Sequence, residues 1–261
     1  MPELSPIAKA ALNSSYACAF LLVVVGLVLS FRRGRPHPLL LVCISALSIS
    51  WIEAPYDWAV YAQFPPALPR MPSWWPLNMT WGGGLPRAVP PGYIAYFVFP
   101  AVISVALARW LNASFQWRAP VTLLTVGLAV GSLWAFVNNA IIGAQLGVWR
   151  YGRVIEGLAL WPGTTHQYPL YDALAMGVQM MVITYVLGRT DSVGRTFIEA
   201  WADSKSKGRL RSSLLSIAAV IVIGHVIYLS VFAPHLATKL LHLQTVAPTE
   251  QLYEGVPNQP L

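Results

Sequence analysis

Six apolar stretches, each close to the length that crosses a hydrocarbon core of about 30 Å, constrain this chain more than any other feature. They run Leu12 to Phe31, Pro38 to Val60, Gly92 to Leu111, Val121 to Val148, Leu170 to Leu187 and Leu214 to Ala233. Inside lipid a backbone must satisfy its own hydrogen bonds, so such runs fold as helices. Only 10% of the residues are charged, against roughly 25% in soluble domains. The expected fold class is all-α: a polytopic membrane helix bundle of about six transmembrane helices. Residues 1–247 are expected to form one domain and residues 248–261 a flexible tail. A disulfide scaffold and a soluble α/β enzyme are excluded. Cys18 and Cys43 are expected at different depths, as buried thiols too far apart to pair.

The first span is expected to stay as an anchor rather than be cleaved as a signal: Lys9 is the only basic residue before it, and Arg32, Arg33 and Arg35 follow it as a stop-transfer cluster. The net charge of +7 does not point to nucleic acid, because Lys and Arg sit in the connections between spans. With six spans, eleven basic residues fall on one side and six on the other. The positive-inside rule makes the richer side cytoplasmic and sets both termini outside in a cell membrane.

Two connections on the outer side carry more than a turn. Phe64 to Pro91 holds eight prolines, Trp74, Trp75, Trp81 and a Gly82-Gly83-Gly84 triplet, so it cannot be a continuous helix. It reads as a Pro/Trp-rich cap at the interface, although an aromatic belt at the headgroups would have the same composition. Trp149 to Pro169, with Glu156, Trp161, His166 and Tyr168, is long enough to be functional.

Ionisable groups inside a span are costly and need a role. Ser50, Glu53 and Asp57 stand at i, i+3 and i+7 on one face of the second span, with Pro55 kinking the helix between the acids and Trp51 and Trp58 flanking them. Asn138 and Asn139 fall in the outer half of the fourth span with Trp134, Asp172 opens the fifth, and His225 lies in the sixth beside Tyr228. The expected site is a polar chamber with Glu53, Asp57 and Asp172 as catalytic acids and bases. Trp51, Trp58, Trp134, Asn138, Asn139, His166, Tyr168 and His225 are its substrate-binding candidates. Structural roles compete with each of these. The asparagines and His225 could simply join helices; Asp172 could cap its helix; Glu53 and Asp57 could brace Arg150 or Arg153; and His166 could be a loop histidine.

Glu53 is expected to lie roughly 6 Å deeper than Asp57. Greater desolvation then makes Glu53 the neutral general acid and leaves Asp57 charged. A protonated carboxyl among Trp and Tyr faces suits cation-forming chemistry, such as acid-driven cyclisation, dehydration or isomerisation of an apolar small molecule. No cofactor and no metal are expected, since the histidines lack ligand spacing and there is no Gly-rich phosphate loop.

The Trp51 to Trp58 turn, Tyr168-Pro169-Leu170-Tyr171-Asp172 and Thr196-Phe197-Ile198-Glu199-Ala200-Trp201 resemble the AveC-type spirocyclase family of actinobacterial membrane proteins. The resemblance implies spiroketal formation on polyketides of secondary metabolism, sometimes with dehydration. A cyclase or dehydratase acting on an apolar polyketide- or terpenoid-like substrate is thus the leading function, with that substrate and membrane lipids as partners. The alternatives are a proton- or cation-coupled transporter, in which the same acids would carry the coupling ion, and a non-catalytic lipid-binding membrane subunit.

Overall fold

The structure, a computed structural model, describes residues 6–256. Residues 1–5 of the expected domain and 257–261 of the expected tail lie outside the described residues. Six stretches of helix are long and apolar enough to cross a membrane: Lys9–Arg33, Pro38–Ala59, Val89–Phe115, Ala119–Gln145, Leu170–Gly188 and Arg209–Leu240. These coincide with the six expected spans. The elements are α1 (Pro6–Arg33), α2 (Pro38–Ile49), α3 (Glu53–Ala59), α4 (Val89–Phe115), α5 (Ala119–Ala135), α6 (Leu170–Gly188), α7 (Phe197–Lys205) and α8 (Arg209–Leu240).

The second span breaks where the proline argument did not put it. A 3₁₀ turn at Ser50–Ile52 separates α2 from α3, and Pro55 sits in the first turn of α3. Its missing N–H is no loss there, because first-turn amides have no intrahelical acceptor. Ser50 turns back to its own chain, its hydroxyl donating to the Leu47 carbonyl at 2.8 Å. The fourth span also changes form: α5 passes into a π-helical stretch, Phe136–Gln145, that carries Asn138 and Asn139. Such widened turns alter which way side chains point and occur often at functional sites.

α5 and α6 approach through small residues. A Cβ added at Gly131 would lie 2.5 Å from the Met180 Cβ, and one at Gly127 would lie 2.7 Å from the Met181 Cα. Close backbone approach of this kind is how helices pack without a hydrophobic driving force. α1 is the least enclosed span, with 11% of its most apolar window buried, and Phe20 and Phe31 on it face outward.

The cap is a folded layer rather than a belt alone. The Arg70 guanidinium donates to the carbonyls of Gly84 (2.9 Å), Pro65 (2.9 Å) and Phe64 (3.2 Å). Trp81 stacks on Tyr61 with ring centroids 6.0 Å apart. Lys239, near the end of α8, puts its ammonium 3.0 Å from the Tyr61 ring centroid and 4.8 Å from those of Trp58 and Trp81, a cation held by three π faces. Two-residue strands tie the loops together: β1 (Ala62–Gln63) pairs antiparallel with β2 (Arg150–Tyr151), and β3 (Ala159–Leu160) with β4 (Tyr168–Pro169). Beyond Pro248, where a flexible tail is expected, the chain is docked as far as Val256. Leu252 is buried, its carbonyl accepts from Arg150, and Tyr253 donates to the Gly147 carbonyl at 3.3 Å.

At the opposite end of the bundle, Thr196 and Glu199 form a reciprocal cap at the start of α7. The same Glu199 pairs with Arg33 at 3.0 Å. Asp203 accepts from Ser212 and pairs with Arg35 (3.4 Å) and Arg195 (3.2 Å), fastening α7 to the connections around it.

Candidate functional site

Beneath the cap a cavity of about 630 Å³ opens between α1, α3, α4, the π-helical stretch, α6 and α8. Glu53, Asp57 and Asp172 all line it, so the three acids singled out in the sequence share one chamber. Much of the remaining wall is apolar: Phe64, Leu68, Val89, Phe97, Phe99 and Ile142 among others. Its α1 side is built of small residues, Ala10, Ala11, Ser14, Ser15 and Cys18. Cys18 is therefore half-buried on the cavity rather than buried, whereas Cys43 is buried; both are free.

Each carboxyl has a different set of donors. Glu53 meets the hydroxyls of Tyr93 and Tyr228 through one oxygen, Oε2; Tyr228 donates at 2.5 Å and also touches Tyr93. Oε1 makes no hydrogen bond among the described residues, which leaves it available to a bound molecule.

Asp172 accepts on both oxygens. Tyr56 donates to Oδ1 at 2.8 Å; Asn139 (2.7 Å), Tyr151 (3.2 Å) and Tyr168 (3.5 Å) converge on Oδ2. An ionised carboxyl, which only accepts, suits this set of donors. Burial, and next the Asp172 charge, push the Tyr151 and Tyr168 hydroxyls well above the ordinary phenol range, so they remain neutral donors. Asp172 lies in the first turn of α6, whose N-cap is Pro169 without a side-chain cap bond. Helix capping therefore does not explain it.

Asp57 is 4% exposed, and its buried Oδ2 has no hydrogen-bond partner among the described residues. The buried indole N–H of Trp134, on the same cavity wall, also has none. Ionising Asp57 with no donor to Oδ2 would strand a buried charge, and the neutral acid is the cheaper state. Depth along the helix would have made Glu53 the neutral acid. The surroundings of the two acids differ: Glu53 has phenol donors and a half-open position, while Asp57 is buried and its Oδ2 has no hydrogen-bond partner among the described residues. Arg150 does not brace the acids. It donates to the Leu252 carbonyl and lies over the Tyr253 ring at 5.3 Å, and Arg153 lies over Tyr61 at 5.8 Å.

Among the expected binding residues, Trp134, Asn138 and Asn139 line the cavity. Asn138 spends its amide on the Trp134 carbonyl at 2.9 Å, and Asn139 links Tyr96 to Asp172. Tyr168 stands behind Asp172 and is fully buried. Trp51 and His225 are absent from the wall because they satisfy one another: the Trp51 indole donates to His225 Nε2 at 3.1 Å, and His225 Nδ1 meets the Ile221 carbonyl at 2.8 Å. Trp58 is turned to Lys239, and His166 binds the Ala144 carbonyl at 3.1 Å in the loop.

The tyrosines are what the sequence reading missed. Tyr56, Tyr93, Tyr96 and Tyr151 supply most of the chamber's hydroxyls together with Tyr228. Their one local signal is Tyr93 and Tyr96 at i, i+3 in an apolar run, which places both on a single helix face. Among the described residues, no three His, Cys, Asp or Glu side chains are grouped as metal ligands.

No curated protein and no solved structure matches this chain. A family profile does, over residues 31–259, from the end of α1 through the whole of the carboxyl-bearing bundle. The chain therefore belongs to the AveC-like spirocyclase family.

Proposed function

We propose that the protein is a multi-pass membrane cyclase that closes and dehydrates a hydroxylated ketone inside the chamber by acid–base catalysis, forming a spiroketal-type product without a cofactor. The observation that carries this reading is the difference between three carboxyls on one cavity: Asp57 with no donor to its Oδ2, Glu53 held by two phenols through one oxygen, and Asp172 saturated with donors. Groups whose surroundings separate their ionisation are the parts from which acid and base are made.

In the reaction, one substrate hydroxyl adds to the ketone to give a hemiketal. The Asp57 carboxyl gives its proton to the hemiketal oxygen, the C–O bond breaks and water leaves. The oxocarbenium ion so formed faces Tyr and Trp rings, whose quadrupoles favour a cation. The second hydroxyl attacks, and its proton passes to the free oxygen of Glu53. Carriage of a proton from Glu53 back to Asp57 by the released water completes the cycle. This scheme moves the acid role from Glu53, where depth alone would put it, to Asp57. The indole N–H of Trp134, without a partner among the described residues, orients the substrate's oxygens, while Asp172 and Asn139 hold the tyrosines around the chamber in place.

The apolar wall suits a polyketide- or terpenoid-like body of low polarity. With the basic end of the bundle in the cytoplasm, the cap and both termini are outside. Substrate then comes from the outer leaflet past α1, whose cavity-lining Ile7 is exposed.

Metabolite profiling of a deletion strain, rescued with the wild-type gene or with Asp57→Asn or Glu53→Gln, tests the assignment. A compound one water heavier than the product should accumulate in the deletion strain and in the Asp57→Asn rescue, with a smaller amount for Glu53→Gln. Full product with Asp57→Asn would remove Asp57 as the acid.

A further inference from the structure

We propose that His235 is a buried imidazolium that acts as the counter-charge of Asp172 through the Tyr56 hydroxyl. The proposal holds whatever reaction the chamber performs, because it rests on where hydrogens can be. His235 is 4% exposed and lies behind Tyr56, with ring centroids 5.0 Å apart, out of the cavity wall. Its Nδ1 meets the Val231 carbonyl at 2.7 Å, and a carbonyl only accepts, so Nδ1 carries a hydrogen. Its Nε2 lies 3.3 Å from the Tyr56 oxygen, and that oxygen lies 2.8 Å from Asp172 Oδ1.

Two contacts need two hydrogens, and Tyr56 owns one. The other belongs either to Asp172, with His235 neutral, or to His235 Nε2, with Asp172 ionised. Asn139, Tyr151 and Tyr168 already donate to Asp172, and a carboxylate receives that many donors better than an acid does. The second hydrogen therefore sits on His235. This also answers a charge question. Among the described residues no Lys or Arg forms an ion pair with Glu53, Asp57 or Asp172, so a buried anion would otherwise stand without a cation.

The groups around the imidazole are consistent with this. α3 presents Tyr56, α6 presents Asp172 and the Tyr171 ring at 5.3 Å, and α8 itself carries Lys239 one turn on, turned into the cage of Tyr61, Trp58 and Trp81. His235 is thus a positioning residue. It keeps Asp172 an anion aimed into the chamber, and a proton moving from Nε2 through Tyr56 to Asp172 would leave all three neutral, with the total charge of the group unchanged.

The test is nitrogen NMR of the full chain, labelled with ¹⁵N-histidine, in lipid nanodiscs at about pH 8, above the ordinary histidine value of about 6.5. His235, identified by the signals lost in His235→Gln, should show two protonated-type nitrogens. In Asp172→Asn it should change to one protonated and one unprotonated nitrogen, because an Asn amide can donate to Tyr56 while Tyr56 turns its hydrogen to Nε2. That variant keeps every contact and so should fold, and it identifies His235 independently if His235→Gln does not fold. An unprotonated nitrogen on His235 in the wild type would overturn the proposal, as would a doubly protonated His235 that persists in Asp172→Asn.

Discussion

Replacing Gly131 by alanine should weaken the bundle where it holds the site. The added Cβ would stand 2.5 Å from the Met180 Cβ, 2.8 Å from the Met176 carbonyl oxygen and 3.0 Å from the Gly177 Cα. Comfortable carbon contacts begin near 3.5 Å, so α5 and α6 must separate by about 1 Å. Two of the three opposing atoms are backbone and cannot rotate away. Overpacking of this kind costs about 1–3 kcal/mol. The π-helical stretch that continues α5 carries the 2.7 Å bond from Asn139 to Asp172 on α6, which a shift of that size would stretch past hydrogen-bonding range. Thermal unfolding in nanodiscs, followed by tryptophan fluorescence, should show Gly131→Ala destabilised against wild type and against Leu133→Ala, a change at a position 64% exposed on the outside of the bundle. Equal stability of Gly131→Ala and wild type would refute the close approach of α5 and α6.

Cysteines placed at Ser15 and Gly92 in a Cys18→Ala background should join α1 to α4, because a Cβ on Gly92 lies 3.8 Å from the Ser15 Cβ, the separation found in native disulfides. A non-reducing gel reads the bond, and failure to form it under mild oxidation would contradict the placement of α1 on the cavity. Asp203 is held below the ordinary carboxylate range by the Ser212 hydroxyl, then by the nearby Arg35 and Arg195 guanidinium groups. Its contribution is therefore complete above the unfolded value of about 3.9 and is lost as pH falls through the lower folded value. Trp201 fluorescence should report release of α7 only below about pH 4, and Asp203→Asn should abolish that transition; an unchanged acid transition in the variant would count against the link.

The spans were legible because hydropathy and length act locally, and all six lie where the apolar runs place them. The acids were legible for a related reason: a carboxyl or amide inside an apolar run stands out, as Glu53, Asp57, Asn139 and Asp172 do. Their partners were not. Asp172 draws on Tyr56, Asn139, Tyr151 and Tyr168, which come from α3, the π-helical stretch and the loop before α6, and no spacing encodes that meeting. Tyrosine is also an ordinary residue near membrane interfaces, so its presence carries little signal. Trp51 and His225 misled for the opposite reason, since two polar aromatic groups on different spans satisfied each other instead of the cavity. Depth along the helix could not show that two phenols meet the Glu53 carboxyl while Asp57 Oδ2 is left without a donor among the described residues, because those phenols come from other spans.

The central claim is that this chamber performs a cyclising dehydration. Purified protein in proteoliposomes, given the compound that accumulates in the deletion strain and no nucleotide, metal or redox cofactor, tests it most directly by mass spectrometry of both compartments. The account predicts conversion to a product lighter by one water, lost with Asp57→Asn in folded protein. Recovery of the compound unchanged in mass but moved across the membrane would contradict it and make the chain a transporter.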